Sequence, residues 1–155
     1  MIRAERTRDY ELARQVLTHP KIYPAISDDS SPAREDYQPI ASEAVIYLAV
    51  YDAAELLGLF LFVPQSGVCV EVHTCLLPHA WGGRAAEAAR AARAWIWANT
   101  PAARIVTSVP EGNRLALRFA RQAGMTEYGR NPASIQRNGR LEDLILLGMS
   151  KPPQE

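Results

Sequence analysis

The sequence predicts an α+β domain: a mixed, mostly antiparallel sheet of six to seven strands flanked by helices. Two observations carry this prediction. Three β-type runs, AVIYLAVY (44–51), LLGLFLFV (56–63) and VCVEVHTCLL (68–77), follow one another across the short turns DAAE and PQSG, the pattern of an antiparallel meander. Strand-like and helix-like segments then alternate to the end of the chain, and a meander feeding a β–helix–β–helix–β unit makes an α+β domain. The 155 residues suffice for one domain with a real core and are short for two, so a single domain is expected over 1–155.

Taken in order, IRAERT (2–7) is the first strand. RDYELARQVLTH follows with Tyr10, Leu12, Ala13, Val16 and Leu17 near helical spacing, and His19-Pro20 ends it because the residue before proline is pushed out of helical geometry. Residues 20–42 carry four prolines and several Ser and Asp, which predicts a long irregular segment with one helical turn. The meander comes next, then a helix over 83–99. ARIVTSV (103–109) reads as a strand and NRLALRFARQAG (113–124) as a helix stopped by glycine. MTEYGR (125–130) and RLEDLILLGMS (140–150) read as strands on either side of the turn-rich NPASIQRNG (131–139).

Seventeen basic residues balance seventeen acidic ones, so no global field draws the chain to nucleic acid or an acidic membrane surface. The most apolar run, LLGLFLFVP (56–64), is too short to span a bilayer, and MIRAERTRDYELARQ has no apolar stretch of signal-peptide length. Cys69 and Cys75 lie in one strand and cannot reach each other, which favours a reducing, cytoplasmic setting. His73, Cys75 and His79 lack the second close pair of ligands that a structural zinc needs, so no metal is expected.

The stretch PHAWGGRAAEAARAARAW (78–95) passes from a strand through a bare turn into a helix. The first N–H groups of such a helix lack intrahelical partners, and with the positive dipole end they form an anion site suited to phosphate. Gly82 and Gly83 let backbone approach a ligand, and Arg84 adds a charge. The plainer reading is a connecting turn, with Arg84, Glu87, Arg90 and Arg93 on a solvated face and the alanines, Trp95 and Ile96 against the sheet. Alternation along 68–77 sets Cys69, Glu71, His73 and Cys75 on one face, and Val70, Val72, Thr74 and Leu76 on the other.

LLPHAWGGRAAEAARAARAW resembles the acetyl-CoA-binding segment of the GNAT family of N-acetyltransferases, where a turn opens a helix that receives the pyrophosphate of coenzyme A. VPEGNRLALRFARQAGM resembles the family's next segment, through Asn113, Ala116, Gly124 and Met125. The Trp-Gly wording is nearest the ribosomal-protein N-terminal acetyltransferases and phage-type members. The family's turn reads Arg or Gln, two residues, Gly, one residue, then Gly or Ala; this chain has Trp81, Arg84 and Ala86 there. Many members carry a thiolate-protonating Tyr seven residues after the Asn, and that position is Ala120.

The resemblance implies direct transfer of an acetyl group from acetyl-CoA to a primary amine of a small-molecule or protein acceptor, without a metal. The alternative is a non-catalytic protein that binds CoA or a partner on the same scaffold. The implied cofactor-binding residues are Leu76, Leu77, Trp81, Gly82, Gly83, Arg84, Ala85, Ala86 and Asn113, with a main-chain N–H near Leu76 polarising the thioester carbonyl. His73 and Glu71 are the candidates to accept the amine proton, because an imidazole titrates near neutral pH; the plainer reading is a polar pair on a half-exposed sheet face. Segment 20–42 is expected over the acceptor side. There Tyr23, Asp28, Asp29 and Tyr37 recognise a cationic amine, or SDDSS is turn and cap chemistry. The family also leaves a homodimer open.

Overall fold

The computed structural model describes residues 1–153. Seven strands form one sheet in the order β1-β2-β3-β4-β5-β7-β6. They are β1 (Ile2–Thr7), β2 (Ile46–Asp52), β3 (Glu55–Pro64), β4 (Cys69–Leu76), β5 (Arg104–Pro110), β6 (Thr126–Arg137) and β7 (Arg140–Ser150). Every pairing is antiparallel except β4 with β5. The helices are α1 (Tyr10–Leu17), α2 (Tyr23–Ile26), α3 (Gly83–Asn99) and α4 (Arg114–Gln122).

Local chemistry explains the helix limits. Asp9 caps α1 by accepting the Leu12 N–H at 3.0 Å, and Asn113 caps α4 by accepting the Ala116 N–H at 3.2 Å. Gly124, at φ 97°, ends the turn after α4. The irregular segment after α1 contains the short α2 and a 3-10 turn at Arg34–Asp36.

The sheet separates two packed layers. On one face Ala85, Ala88, Ala92 and Ile96 of α3 pack against Leu48, Phe60, Val70, Val72 and Ile105. Small alanines let the helix lie close to the sheet. On the other face Ala13, Val16 and Leu17 of α1 pack against Tyr47, Leu59, Leu61 and Cys75. The alternation expected in β4 therefore holds: Val70, Val72 and Leu76 are buried under α3, and Cys75 is buried under α1.

Two expectations need correction. NPASIQRNG is not a turn-rich break, because β6 continues through Arg137 and only Asn138 and Gly139 turn the chain. A register break between Asn131 and Ile135 absorbs the proline. There Ala133 takes φ 46°, and its N–H donates to Asp143 Oδ1 at 2.8 Å. Arg93 does not lie on the solvated face of α3. It is half-buried and donates to the Ala123 carbonyl at 2.6 Å, satisfying the C-terminal end of α4.

Candidate active site

The site begins with a gap in the sheet. Leu77 N–H donates to the Leu57 carbonyl at 2.8 Å, and Leu76 lies opposite Gly58. By antiparallel alternation, Val72, Thr74 and Leu76 turn their N–H and C=O groups away from β3 and toward β5. The parallel pairing with β5 covers only Cys69–Glu71 against Arg104–Val106. The Thr107 hydroxyl donates to the Val72 carbonyl at 3.0 Å, and beyond that link the strands part. Thr74 and Leu76 thus present backbone polar groups to a cleft. The Trp81 indole N–H occupies the Leu76 carbonyl at 2.9 Å, which leaves the Leu76 N–H as the donor at the outer end. Leu77 N–H faces the opposite way, into β3.

A cavity of about 250 Å³ fills this cleft and passes between the two faces of the sheet. On the α3–α4 side its walls include Ala89, Ala92, Phe119 and Ala120; on the α1–α2 side they include Ala25, Ile26, Ser27 and Asp28. His73 and Thr74 of β4 face Thr107 and Ser108 of β5 across it. Asn113 lines it as well, and its side-chain oxygen is committed to the α4 cap.

Beyond the outer end of β4 lies the start of α3. Gly82 precedes the helix at φ 104°, ψ −136°, without a side-chain cap. A left-handed φ strains any other residue there. Trp81, Gly82 and Gly83 are exposed, and a Cβ at Gly82 or Gly83 would meet no atom within 4 Å. Ala85 N–H bonds the Gly82 carbonyl at 3.1 Å, Ala85 is buried and Ala86 half-buried. The Arg84 guanidinium is turned away from this open surface. It donates to Glu55 at 3.0 and 3.1 Å and to the His79 carbonyl at 2.8 Å, and Asp52 lies 3.6 Å away. His79 Nε2 contacts the Leu56 carbonyl at 3.1 Å, so this whole corner is tied to the β2–β3 turn.

On the opposite face, His73 Nε2 lies 2.9 Å from Glu71 Oε1. Glu71 Oε2 accepts from Gln65 Nε2 at 2.8 Å. His73 beside it, then Gln65, hold the Glu71 carboxyl below its ordinary range despite partial burial. His73 borders the cavity and Glu71 stands behind it, toward the closed end of the cleft. Cys75, next along this face, is fully enclosed, and burial pushes its thiol up to about 12. Among the described residues no group of three or more His, Cys, Asp or Glu is arranged to hold a metal ion.

The segment after α1 divides by residue. Asp29 is spent on structure: its carboxylate accepts the Asn138 and Gly139 N–H groups at 2.8 Å, and its own N–H bonds the Gln136 carbonyl at 2.9 Å. Tyr23 donates to the Pro32 carbonyl and meets Tyr37 edge-on at 5.4 Å. Asp28 borders the cavity, and the Ser30 and Ser31 donors around its Oδ1 hold its carboxyl below the usual range. Sequence reasoning missed Thr107 and Ser108, because β5 carries no motif and its facing toward β4 depends on the parting of the strands. Tyr128 lies away from the cavity, with the Arg104 guanidinium 5.1 Å over its ring.

Curated protein sequences gave no match. Among solved structures, spermidine N-acetyltransferase from Vibrio cholerae in complex with CoA and spermine superposes with TM-score 0.76 at 17% identity, covering 97% of this chain and 94% of that one. A GNAT-family acetyltransferase from Streptococcus pneumoniae gives TM-score 0.73 at 14% identity, covering 97% and 100%. These likenesses are of fold. The acetyltransferase (GNAT) domain matches residues 1–126, the part that holds the parted strands and the turn into α3. The chain belongs to the GNAT acetyltransferase family.

Proposed function

We propose that the protein is an acetyl-CoA-dependent N-acetyltransferase acting on a primary amine. The observation that carries this reading is the parting of β4 from β5 beside an uncapped helix start. The open edge at Thr74 and Leu76 suits an extended amide-bearing chain, and the α3 N-terminus suits a pyrophosphate one step further on. Acetyl-CoA would supply the activated acetyl group. Gly82, Gly83 and the backbone N–H of Arg84 would hold the pyrophosphate, with Ala85 and Ala86 lining the turn behind them, and the Leu76 N–H would polarise the thioester carbonyl.

Amine and acetyl donor enter from opposite faces of the sheet and meet in the gap. With Nε2–H directed at Glu71, His73 offers the Nδ1 lone pair to the amine proton, directly or through one water. Glu71 fixes the ring and offsets the charge that develops on it. The amine nitrogen attacks the thioester carbon, the C–S bond breaks, and the thiolate leaves. Ala120 supplies no acid, so water in the cleft would relay to the thiolate the amine proton that His73 took, which returns the imidazole to its neutral form. Positioning provides most of the acceleration, which is why no nucleophilic side chain is needed.

Ala120 also favours a second reading, a protein that binds CoA without catalysis. The two separate in one experiment. Thermal unfolding with acetyl-CoA, CoA and buffer reports binding, because a ligand specific to the folded state raises the midpoint by mass action. Release of CoA thiol with a panel of primary amines reports transfer. Stabilisation without thiol release would establish the second reading; absence of stabilisation at millimolar ligand would refute both.

A further inference from the structure

Beside the α1–α2 end of the cavity lies a second, wider groove. Ala25 and Asn113 line both, so the two adjoin. The groove encloses about 700 Å³ between the α1–α2 connection and the β6–β7 hairpin. Lys21, Arg137 and Arg140 border it, with Glu142 as the one carboxylate among its lining residues.

Carboxylates neutralise some arginines of the chain and leave others, Arg114 beside the groove among them, without an ion pair among the described residues. Arg130 is matched by Glu111 and Asp143, Arg121 by Glu127, and Arg84 by Glu55. Lys21, Arg137 and Arg140 make no ion pair among the described residues. Arg137 gives one nitrogen to the Pro24 carbonyl at 2.7 Å, which fixes it without neutralising it. Asp29, the other carboxylate of this wall, is turned onto the Asn138 and Gly139 N–H groups of the hairpin tip. Those bonds clamp the two walls together, so the groove is built before any ligand arrives.

The charges of the two ends are opposite. The α1–α2 side of the inner cavity holds Asp28 and the His73–Glu71 pair, while the cavity's one arginine, Arg93, lies on the α3 side and donates to the Ala123 carbonyl. The outer end holds three unmatched cations against one carboxylate.

Resting on the acetyltransferase reading, we propose that the acceptor is a small amine that also carries a carboxylate or phosphate-type anion, with its ammonium at Asp28 and His73 and its anion at Lys21, Arg137 and Arg140. Such a groove disfavours polyamines, whose second ammonium would fall among like charges.

Binding of matched amines to the CoA-loaded protein tests this without depending on turnover. The probes are ω-amino acids from 3-aminopropanoate to 6-aminohexanoate, the corresponding aminoalkylphosphonates, butylamine and 1,4-diaminobutane. The best anionic amine is expected to bind about tenfold or more tighter than butylamine, one to two charge-assisted contacts' worth. The carboxylate and phosphonate arms tell which anion is read. Lys21→Glu and Arg140→Glu, both at exposed positions, should erase the preference, leave butylamine unchanged and preserve CoA binding. Raised salt should weaken only the anionic probes. Binding no tighter than butylamine across the whole series, or 1,4-diaminobutane binding tightest, overturns the proposal. Anionic probes that bind with the stated preference but release no thiol would leave it standing and refute the transfer reaction instead.

Discussion

Gly83 is the position where the cradle can be tested without disturbing the fold. It is the first residue of α3, it lacks the left-handed φ of Gly82, and a Cβ there would meet nothing within 4 Å. A valine at Gly83 therefore fills only the space where the pyrophosphate is proposed to lie. Forcing the phosphates outward would forfeit about one hydrogen bond to a charged group, roughly 1.5–3 kcal/mol. That converts to a loss of about 10- to 150-fold in affinity for CoA. The fold should barely respond, since replacing a helical glycine gains or loses at most about 1 kcal/mol. Titration calorimetry with CoA measures the first quantity and thermal unfolding of the free protein the second. Trp81, 49% exposed beside the cradle, offers a fluorescence check. CoA affinity within twofold of wild type, in a variant with an unchanged melting temperature, would refute the phosphate cradle. Gly82 is the poorer choice, because its φ of 104° adds backbone strain to any substitution.

Four further outcomes follow from the geometry. His73→Ala should lower kcat by about 100-fold or more with CoA affinity unchanged, and Glu71→Gln should lower it less while shifting the acid limb of the pH–rate profile; both rates intact would remove the proposed base. Because Glu71 has a folded-state pKa below its unfolded value, its contribution to stability is present above the unfolded value and lost as pH falls through the folded one, so Glu71→Gln should flatten that part of the acid unfolding curve. Cys69 is partly exposed and should react promptly with a thiol reagent, whereas Cys75, enclosed and raised to about 12, should react only on unfolding; two fast thiols would contradict the packing of β4 against α1. Gly58→Ala should destabilise the protein by about 2 kcal/mol or more and weaken CoA binding together, since its Cβ would stand 2.4 Å from the Cys75 carbonyl and 2.7 Å from Leu76 Cα; urea unfolding and calorimetry read the two effects.

The parts legible in the sequence were those with local causes. Alternation alone placed Glu71 and His73 on the face opposite Val70 and Val72, and Asn113 announced α4 through its cap. What sequence could not supply were contacts across long separations. Arg84 stands where the family usually has glycine, and from sequence it could equally crowd a phosphate or bind it. Its fate depends on Asp52 and Glu55, the strand ends that flank the β2–β3 turn, which hold its side chain clear of the open N–H groups. Asp29 looked free to meet an amine, yet it is bound to the tip of the β6–β7 hairpin, 109 residues away for Asn138. NPASIQRNG looked like a break because proline and glycine punctuate it, but pairing with β7 and the Asp143–Ala133 bond carry the strand through. Thr107 and Ser108 belong to the site only because β4 and β5 part beside them.

That parting also decides on which face each proposed role would fall. Side chains of β4 alternate strictly, so the residues under α3 and the residues facing α1–α2 cannot exchange roles without a one-residue slip. Such a slip would bury Glu71 and His73 beneath the alanines of α3 and carry Val72 to the acceptor side. Phe62 opposite Val72 and Leu61 opposite His73 fix the register from the β3 side, and Gly58 opposite Leu76 lets the two backbones close together at the outer end. The strand's N–H groups at Thr74 and Leu76 lie in the plane between the two faces, where the proposed thioester carbonyl would be held with the amine approaching from one face and the phosphate-bearing chain leaving on the other. A base placed on β5 would have to reach across the gap that the reactants occupy. On β4 the proposed base, His73, stands one residue before Thr74, at the rim of that gap, and Glu71 behind it needs no space in the cleft.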